Sequence, residues 1–153
     1  MEVRLAVAAD IDQITALFAE QFEVQASINP YIIQRGAPSR QFIENIITNE
    51  NSDIFVAEAD NKIIGFASVS ERKTMDFDFV VPHRYARLME LIVTKEHQRK
   101  GIATKLTNTV KKWCSDRGLD HIELSVYVNN DGAIDFYIQN GYVENEKVMI
   151  CKL

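Results

Sequence analysis

The stretch from Arg87 to Val128 constrains the fold more than any other part of the chain. Leu88, Leu91, Ile92 and Val93 crowd one short run ending at Thr94, a charged turn leads to Gly101, and Ile102, Leu106, Val110 and Trp113 then recur at steps of four, four and three. Those steps lay an apolar stripe along a helix, and Gly118 stands where a helix-ending glycine belongs. Ile122, Leu124, Val126 and Val128 then alternate with polar residues, the period of a strand. Strand, helix and strand in this order form a right-handed crossover. It carries the loop after the first strand to the carboxyl edge of the sheet, where α/β proteins bind ligands.

The flanking segments supply the rest of a mixed sheet. Val3 to Val7 reads as a strand, and Asp10 with Gln13 opens a helix bearing Ile11, Ile14, Leu17, Phe18 and Phe22 in a capping-box pattern. Breaks at Asn29-Pro30 and Arg35 to Pro38 precede Ser39, which caps a second helix with Phe42, Ile43, Ile46 and Ile47 on one face. Asp60-Asn61 joins the runs Ile54–Ala57 and Ile63–Ala67 as a tight hairpin turn. Residues 71–86 read as a long loop, Asn130 opens a short helix through Asn140, and Val143 and then Val148 to Leu153 are expected as terminal strands. With 153 residues and no linker or repeat, one domain spanning 1–153 is expected.

Charge and cysteine usage narrow the function classes. Lys and Arg number 17 against 22 Asp and Glu, a net charge of −5, the wrong sign for a protein that meets nucleic acid over its main surface. Cys114 and Cys151 occupy apolar stretches and make neither a disulfide framework nor a CxxC motif, which fits a cytoplasmic location. Glu2, Arg4, Asp10 and Asp12 leave no room for a leader or a membrane span at the start, and no other run is long enough for one. His83, His97 and His121 are scattered and match no metal-ligand spacing, so no metal is expected.

The positive charge is concentrated. Lys95 to Arg117 carries seven basic residues against Glu96 and Asp116, a local +5 that leaves −10 on the rest of the chain. Its turn, Gln98-Arg99-Lys100-Gly101-Ile102-Ala103, opens a helix, where free amides and the helix dipole favour an anion such as phosphate. A solvated basic face would show the same charges. The turn lacks the GxxxxGK string of a P-loop. A dinucleotide fingerprint would need glycines at Ala103 and Leu106, although Asp120 lies about 20 residues on, where that fold keeps its ribose-binding acid.

A third template fits better. Leu91 to Ala103, with its Gln98-Arg99-Lys100-Gly101-Ile102-Ala103 turn, resembles the acyl-CoA-binding signature Arg/Gln-x-x-Gly-x-Gly/Ala of the GNAT superfamily of N-acetyltransferases. A second stretch, Asn130 to Tyr142, is similar to that family's Asn-x-x-Ala-x-x-Phe-Tyr-x-x-x-Gly-Phe/Tyr segment, through Asn130, Ala133, Phe136, Tyr137, Gly141 and Tyr142. Ala103 replaces the commoner second glycine. The resemblance implies a GNAT-like fold, a single-domain, mostly antiparallel mixed sheet flanked by helices, and an acetyl-CoA-dependent transfer of an acetyl group directly to a primary amine within a ternary complex.

The resemblance also implies roles. The main chain of Ile92, Val93 and Thr94 would bind the pantetheine arm, while Gln98, Arg99, Lys100, Gly101, Ile102, Ala103 and Thr104 would hold the pyrophosphate. Asn130 would cap its helix and contact pantetheine, and Tyr137 would protonate the departing CoA thiolate. Glu90, the one charge in Leu88–Val93, is either held in an ion pair with Arg87 or Arg84 or acts as the base that deprotonates the amine; His83 is the reserve base. The first two helices and the 71–86 loop would form the acceptor surface, with Glu20, Glu23, Asp76 and Asp78 favouring a cationic amine. A catalytically silent acyl-CoA sensor would carry the same turn without needing Glu90 or Tyr137. The sequence does not distinguish a monomer from a homodimer.

Overall fold

The structure is a computed structural model that describes residues 1–153. Strand β1 (Glu2–Leu5) leads through a 3₁₀ turn into helix α1 (Ile11–Ile28), followed by α2 (Arg40–Thr48), β2 (Ser52–Ala59), β3 (Lys62–Lys73) and β4 (Arg84–Val93). Helix α3 (Ile102–Asp116), β5 (Ile122–Glu123) and α4 (Asp131–Gln139) complete the chain. The five strands form one sheet in sequence order, antiparallel from β1 to β4, with β5 parallel to β4. The expected mixed, mostly antiparallel sheet is present, and the β4–α3–β5 crossover is its one parallel unit. No helix is long and apolar enough to cross a membrane.

Each face of the sheet has its own core. Ile11, Ile14, Leu17 and Phe18 of α1 and Ile43 and Ile46 of α2 bury Ile54, Val56, Ile63, Phe66 and Ile92 on one face. Ile102, Leu106, Val110 and Trp113 of α3 bury Phe55, Ala57, Ile64, Ala67, Val69 and Leu88 on the other. The four-four-three stripe read from the sequence is therefore the buried side of α3. Asp60 and Asn61 adopt φ of 51° and 60°, the left-handed pair that a two-residue hairpin needs.

A bulge in β4 decides which side chains reach which face. Ser68 pairs with Glu90 but Val69 pairs with Leu88, so Met89 is an extra residue in β4. Ala86 and Leu88 lie on the α3 face, and beyond the bulge Leu91 and Val93 take over that face. Met89 and Glu90 are thereby both turned towards α1 and α2. Gly65, opposite Val93, lets β3 and β4 close up, because a Cβ there would lie 2.6 Å from the Ile92 carbonyl oxygen.

Four local expectations change. Strand pairing reaches Lys73 and resumes at Arg84, so the loop is 74–83 rather than 71–86. Asp10 does not cap α1: its carboxylate accepts from Arg4 at 2.7 and 2.9 Å and from the Val7 amide at 2.8 Å, while Gln13 Oε1 accepts from the Ile63 amide. Strand β5 stops at Glu123 instead of continuing to Val128, and residues 143–153 form no strand and are exposed. Alternating apolar residues define a strand only where a partner edge receives them. Cys114 is buried, as its apolar stretch suggests, but Cys151 is exposed.

Candidate active site

The crossover turn forms a cradle of amides. Arg99 and Gly101 adopt left-handed φ of 60° and 78°, and Gly101 caps α3 without any side-chain hydrogen bond. None of the main-chain amides from Arg99 to Thr104 meets an acceptor within the chain; the first amide of the helix start to do so is that of Lys105, on the Gly101 carbonyl. Consecutive free N–H groups at a helix start, beside the exposed Arg99 and Lys100 side chains, make an anion-binding concavity. Ile102 is buried and anchors the turn in the core, and Ala103 is half-buried with no side chain to obstruct an approach. The Gln98 side chain ties the turn to β4 by donating Nε2–H to the Val93 carbonyl at 3.2 Å.

Beside this turn the sheet is split. Strands β4 and β5 pair only at Ala86–Ile122 and Arg87–Glu123, so β4 from Leu88 to Val93 has no neighbour on that side. The Thr94 amide donates to the Ile64 carbonyl at 2.9 Å and therefore faces β3. Strand alternation then gives Val93, between Ile92 and Thr94, the main-chain groups that point into the open side. Of these three residues, Ile92 is committed through its side chain to the core.

Glu90 and Tyr137 lie near the split. The ion pairs weighed for Glu90 are absent, because Arg84 binds Glu71 at 2.7 Å and Arg87 lies 3.8 Å from Glu123. Burial alone, with no compensating partner, pushes the Glu90 carboxyl up to about 7. Burial also pushes the Tyr137 phenol up to about 12, with smaller contributions from Tyr142 and Glu90. Tyr137 packs against the α3-side core and meets the Phe136 and Tyr142 rings edge-on at 5.4 Å. Asn130 caps α4 by accepting from the Ala133 amide at 3.4 Å.

Glu90 also borders a cleft that sequence reasoning did not assemble. Phe18 and Phe22 of α1, Pro38, Phe42 and Ile46 of α2, Ser68 and Met89 surround about 120 Å³ with Glu90 at its edge. The phenylalanines stand at helical spacing and read as ordinary core, while Ser68 is hidden in an apolar strand; only Glu90 signalled the place, as a lone charge. Helices α1 and α2 both wall this cleft, and loop 74–83 contributes nothing to it. Glu20, Glu23, Asp76 and Asp78 are exposed and none lines the cleft; Glu23 is paired with Arg35 at 3.2 Å.

Two alternatives lose their residues. His83 precedes β4 and binds Asp120 at 3.0 Å, seven residues from Glu90, or about 23 Å along an extended strand. It is out of reach as a reserve base. Asp120, the acid a dinucleotide site would use, is fixed at that same end, its amide donating to the Arg84 carbonyl. The amide-lined crossover turn follows the opposite end of β4.

Comparison with known proteins agrees with this architecture. The Acetyltransferase (GNAT) family matches residues 11–142. An uncharacterised N-acetyltransferase of Methanocaldococcus jannaschii is 26% identical over 139 residues, which cover 91% of this chain and 59% of that protein. The uncharacterised N-acetyltransferase YhfO of Bacillus subtilis is 27% identical over 145 residues, covering 95% and 91%. The chain thus spans somewhat more than half of the first relative and nearly all of the second. Among solved structures, a tetramutant of the BH1408 protein from Bacillus halodurans has TM-score 0.95 at 19% identity over 100% of both chains. Aminoglycoside N-acetyltransferase AAC(6')-Iy, solved in complex with CoA, has TM-score 0.74 at 18% identity over 99% of this chain and 98% of its own. With its core architecture, amide turn and matched residues in agreement, this chain belongs to the GNAT acetyltransferase family.

Proposed function

We propose that the protein is an acetyl-CoA-dependent N-acetyltransferase that moves the acetyl group directly to a primary amine in a ternary complex. The observation that carries this reading is the run of unpaired amides from Arg99 to Thr104 following the edge of β4 that β5 leaves open. A diphosphate satisfies the amides, and the attached arm runs along β4 as an added strand would, engaging Val93. A solved neighbour of the same fold, in complex with CoA, is consistent with CoA as the ligand.

The two titrating side chains then divide the proton transfers. An amine arrives largely as ammonium, and Glu90, directly or through a water, removes the proton; a carboxyl held near 7 is matched to that task at neutral pH. The freed nitrogen attacks the thioester carbon, forming the C–N bond and a tetrahedral intermediate. Collapse breaks the C–S bond, and the sulfur takes the leaving electron pair. Tyr137, protonated throughout the neutral range, donates its phenolic proton to that sulfur. The nitrogen's second proton, shed as the amide forms, returns to the Tyr137 phenolate directly or through water, and Glu90 releases the proton it took to solvent, so one proton leaves per turnover and both side chains are restored.

The test is release of free thiol from acetyl-CoA across a panel of amines, with the N-acetylated product identified by mass spectrometry. Amine-dependent release with one acetylamine per thiol is expected. Hydrolysis of acetyl-CoA that ignores the amine, or no turnover in a protein saturated with acetyl-CoA, overturns the reading.

A further inference from the structure

The acceptor side of the site is small, apolar and poor in charge. Six of the eight lining side chains, Phe18, Phe22, Pro38, Phe42, Ile46 and Met89, present carbon, and the two polar ones are Ser68 and Glu90. Ser68 is 1% exposed and its Oγ has no hydrogen-bond partner. A buried hydroxyl without a partner is a cost to the free protein unless a ligand supplies one. It lies on β3 opposite Glu90, so the polar end of the cleft consists of one carboxyl and one hydroxyl on adjacent strands.

That inventory suits one nitrogen. An ammonium has three donors and can give one to the Glu90 carboxylate and one to Ser68 Oγ. A second ammonium a few bonds away would be desolvated against phenylalanine with no counter-charge, which is strongly unfavourable. A polyamine or a polyhydroxylated aminosugar therefore fits badly. The apolar part, in a cleft of about 120 Å³, is close to the scale of a cavity of roughly 150 Å³ that holds a benzene ring.

We propose that the acceptor is a monoamine whose nitrogen is carried within two or three bonds of a ring-sized apolar group, the ring lying among Phe18, Phe22 and Phe42 and the nitrogen between Glu90 and Ser68. This rests on the acetyltransferase reading above and names its acceptor class. The same chemistry occurs in a free arylalkylamine and at the N-terminus of a peptide beginning with phenylalanine.

The experiment compares kcat/KM for 2-phenylethylamine, ethylamine, spermidine, kanamycin and a tetrapeptide with N-terminal phenylalanine. Burying the phenyl group is expected to favour 2-phenylethylamine over ethylamine by about a hundredfold. Phe42→Ala, at a half-exposed position on α2, is expected to reduce that ratio at least fivefold, by roughly the loss of one apolar wall. The peptide arm identifies the source: turnover of the peptide above that of 2-phenylethylamine assigns the chemistry to a chain terminus, and the reverse to a free amine. A higher kcat/KM for spermidine or kanamycin than for either phenyl compound overturns the inference and leaves the acetyltransferase reading intact. Should no amine turn over, calorimetric titration of 2-phenylethylamine into the CoA-saturated protein decides the cleft by itself. Binding that Phe42→Ala weakens upholds it, and the absence of binding overturns it.

Discussion

Ser68 and Glu90 stand opposite each other across the β3–β4 ladder, and neither side chain has a hydrogen-bond partner within the chain. A buried hydroxyl without a partner, beside a half-buried carboxyl that no cation neutralises, is a destabilising feature that a core without a ligand to bind would replace with carbon. Their effects on stability and on catalysis should therefore run in opposite directions.

For Ser68, removal of the hydroxyl relieves the unpaired group. Ser68→Ala should raise the free energy of unfolding in urea by about 1 kcal/mol. It should also raise KM for the amine several-fold with a smaller change in kcat, since the lost contact is with the bound substrate. Unchanged kinetics in the stabilised variant would make the hydroxyl a bystander.

For Glu90, the folded carboxyl keeps its proton up to about pH 7 while the unfolded one releases it near 4.5. Folding therefore takes up a proton between those values, and stability falls as the pH rises through that window. Glu90→Gln should be more stable than the wild type above pH 7, by up to about 3 kcal/mol for a shift of this size, with the difference vanishing below pH 4.5. In kcat/KM the lower limb near pH 7 should disappear and activity should fall by about 10²–10⁴. Thermal melts and steady-state rates across pH 4–9 check both halves.

For Tyr137, Tyr137→Phe should lower kcat by about 10²–10⁴ while CoA affinity stays within a few-fold. The ring packs on Phe136 and Tyr142 and survives this substitution, so a melting temperature close to that of the wild type is expected. Full activity in the stable variant would end the general-acid role.

Which features were legible from sequence follows the range of the interactions involved. Turn residues such as Gly101, Asp60 and Asn61 announce themselves because backbone geometry is local, and the stripe of α3 because its period is local too. Glu90 was legible as a charge in an apolar run, but its lack of a partner was not, because it depends on Arg84 and Arg87 finding Glu71 and Glu123 instead. The bulge at Met89 carries no glycine to mark it, yet it is what brings both Met89 and Glu90 to the α1–α2 face. Phe18, Phe22 and Phe42 obey helical spacing whether they fill a core or wall a cleft; only the packing of α1 against α2 and the sheet separates the two. The strand expected to reach Val128 failed for a similar reason, since pairing requires the neighbouring edge, and β5 leaves β4 after Glu123.

The central claim is that the turn from Arg99 to Thr104 holds the diphosphate of CoA, and calorimetric titration of CoA into the wild type and Gly101→Glu tests it most directly. Gly101 has φ of +78° with open space around its Cβ position, so a side chain there costs about 1–2 kcal/mol of strain without a clash. It also places a carboxylate beside the cradle. Gly101→Asn, which tolerates the left-handed backbone, controls for the strain. Tight binding of CoA by the wild type, retained binding by Gly101→Asn, no binding by a folded Gly101→Glu and no preference for NAD is the predicted result. Undiminished CoA affinity in folded Gly101→Glu, or stronger binding of NAD than of CoA by the wild type, would contradict it.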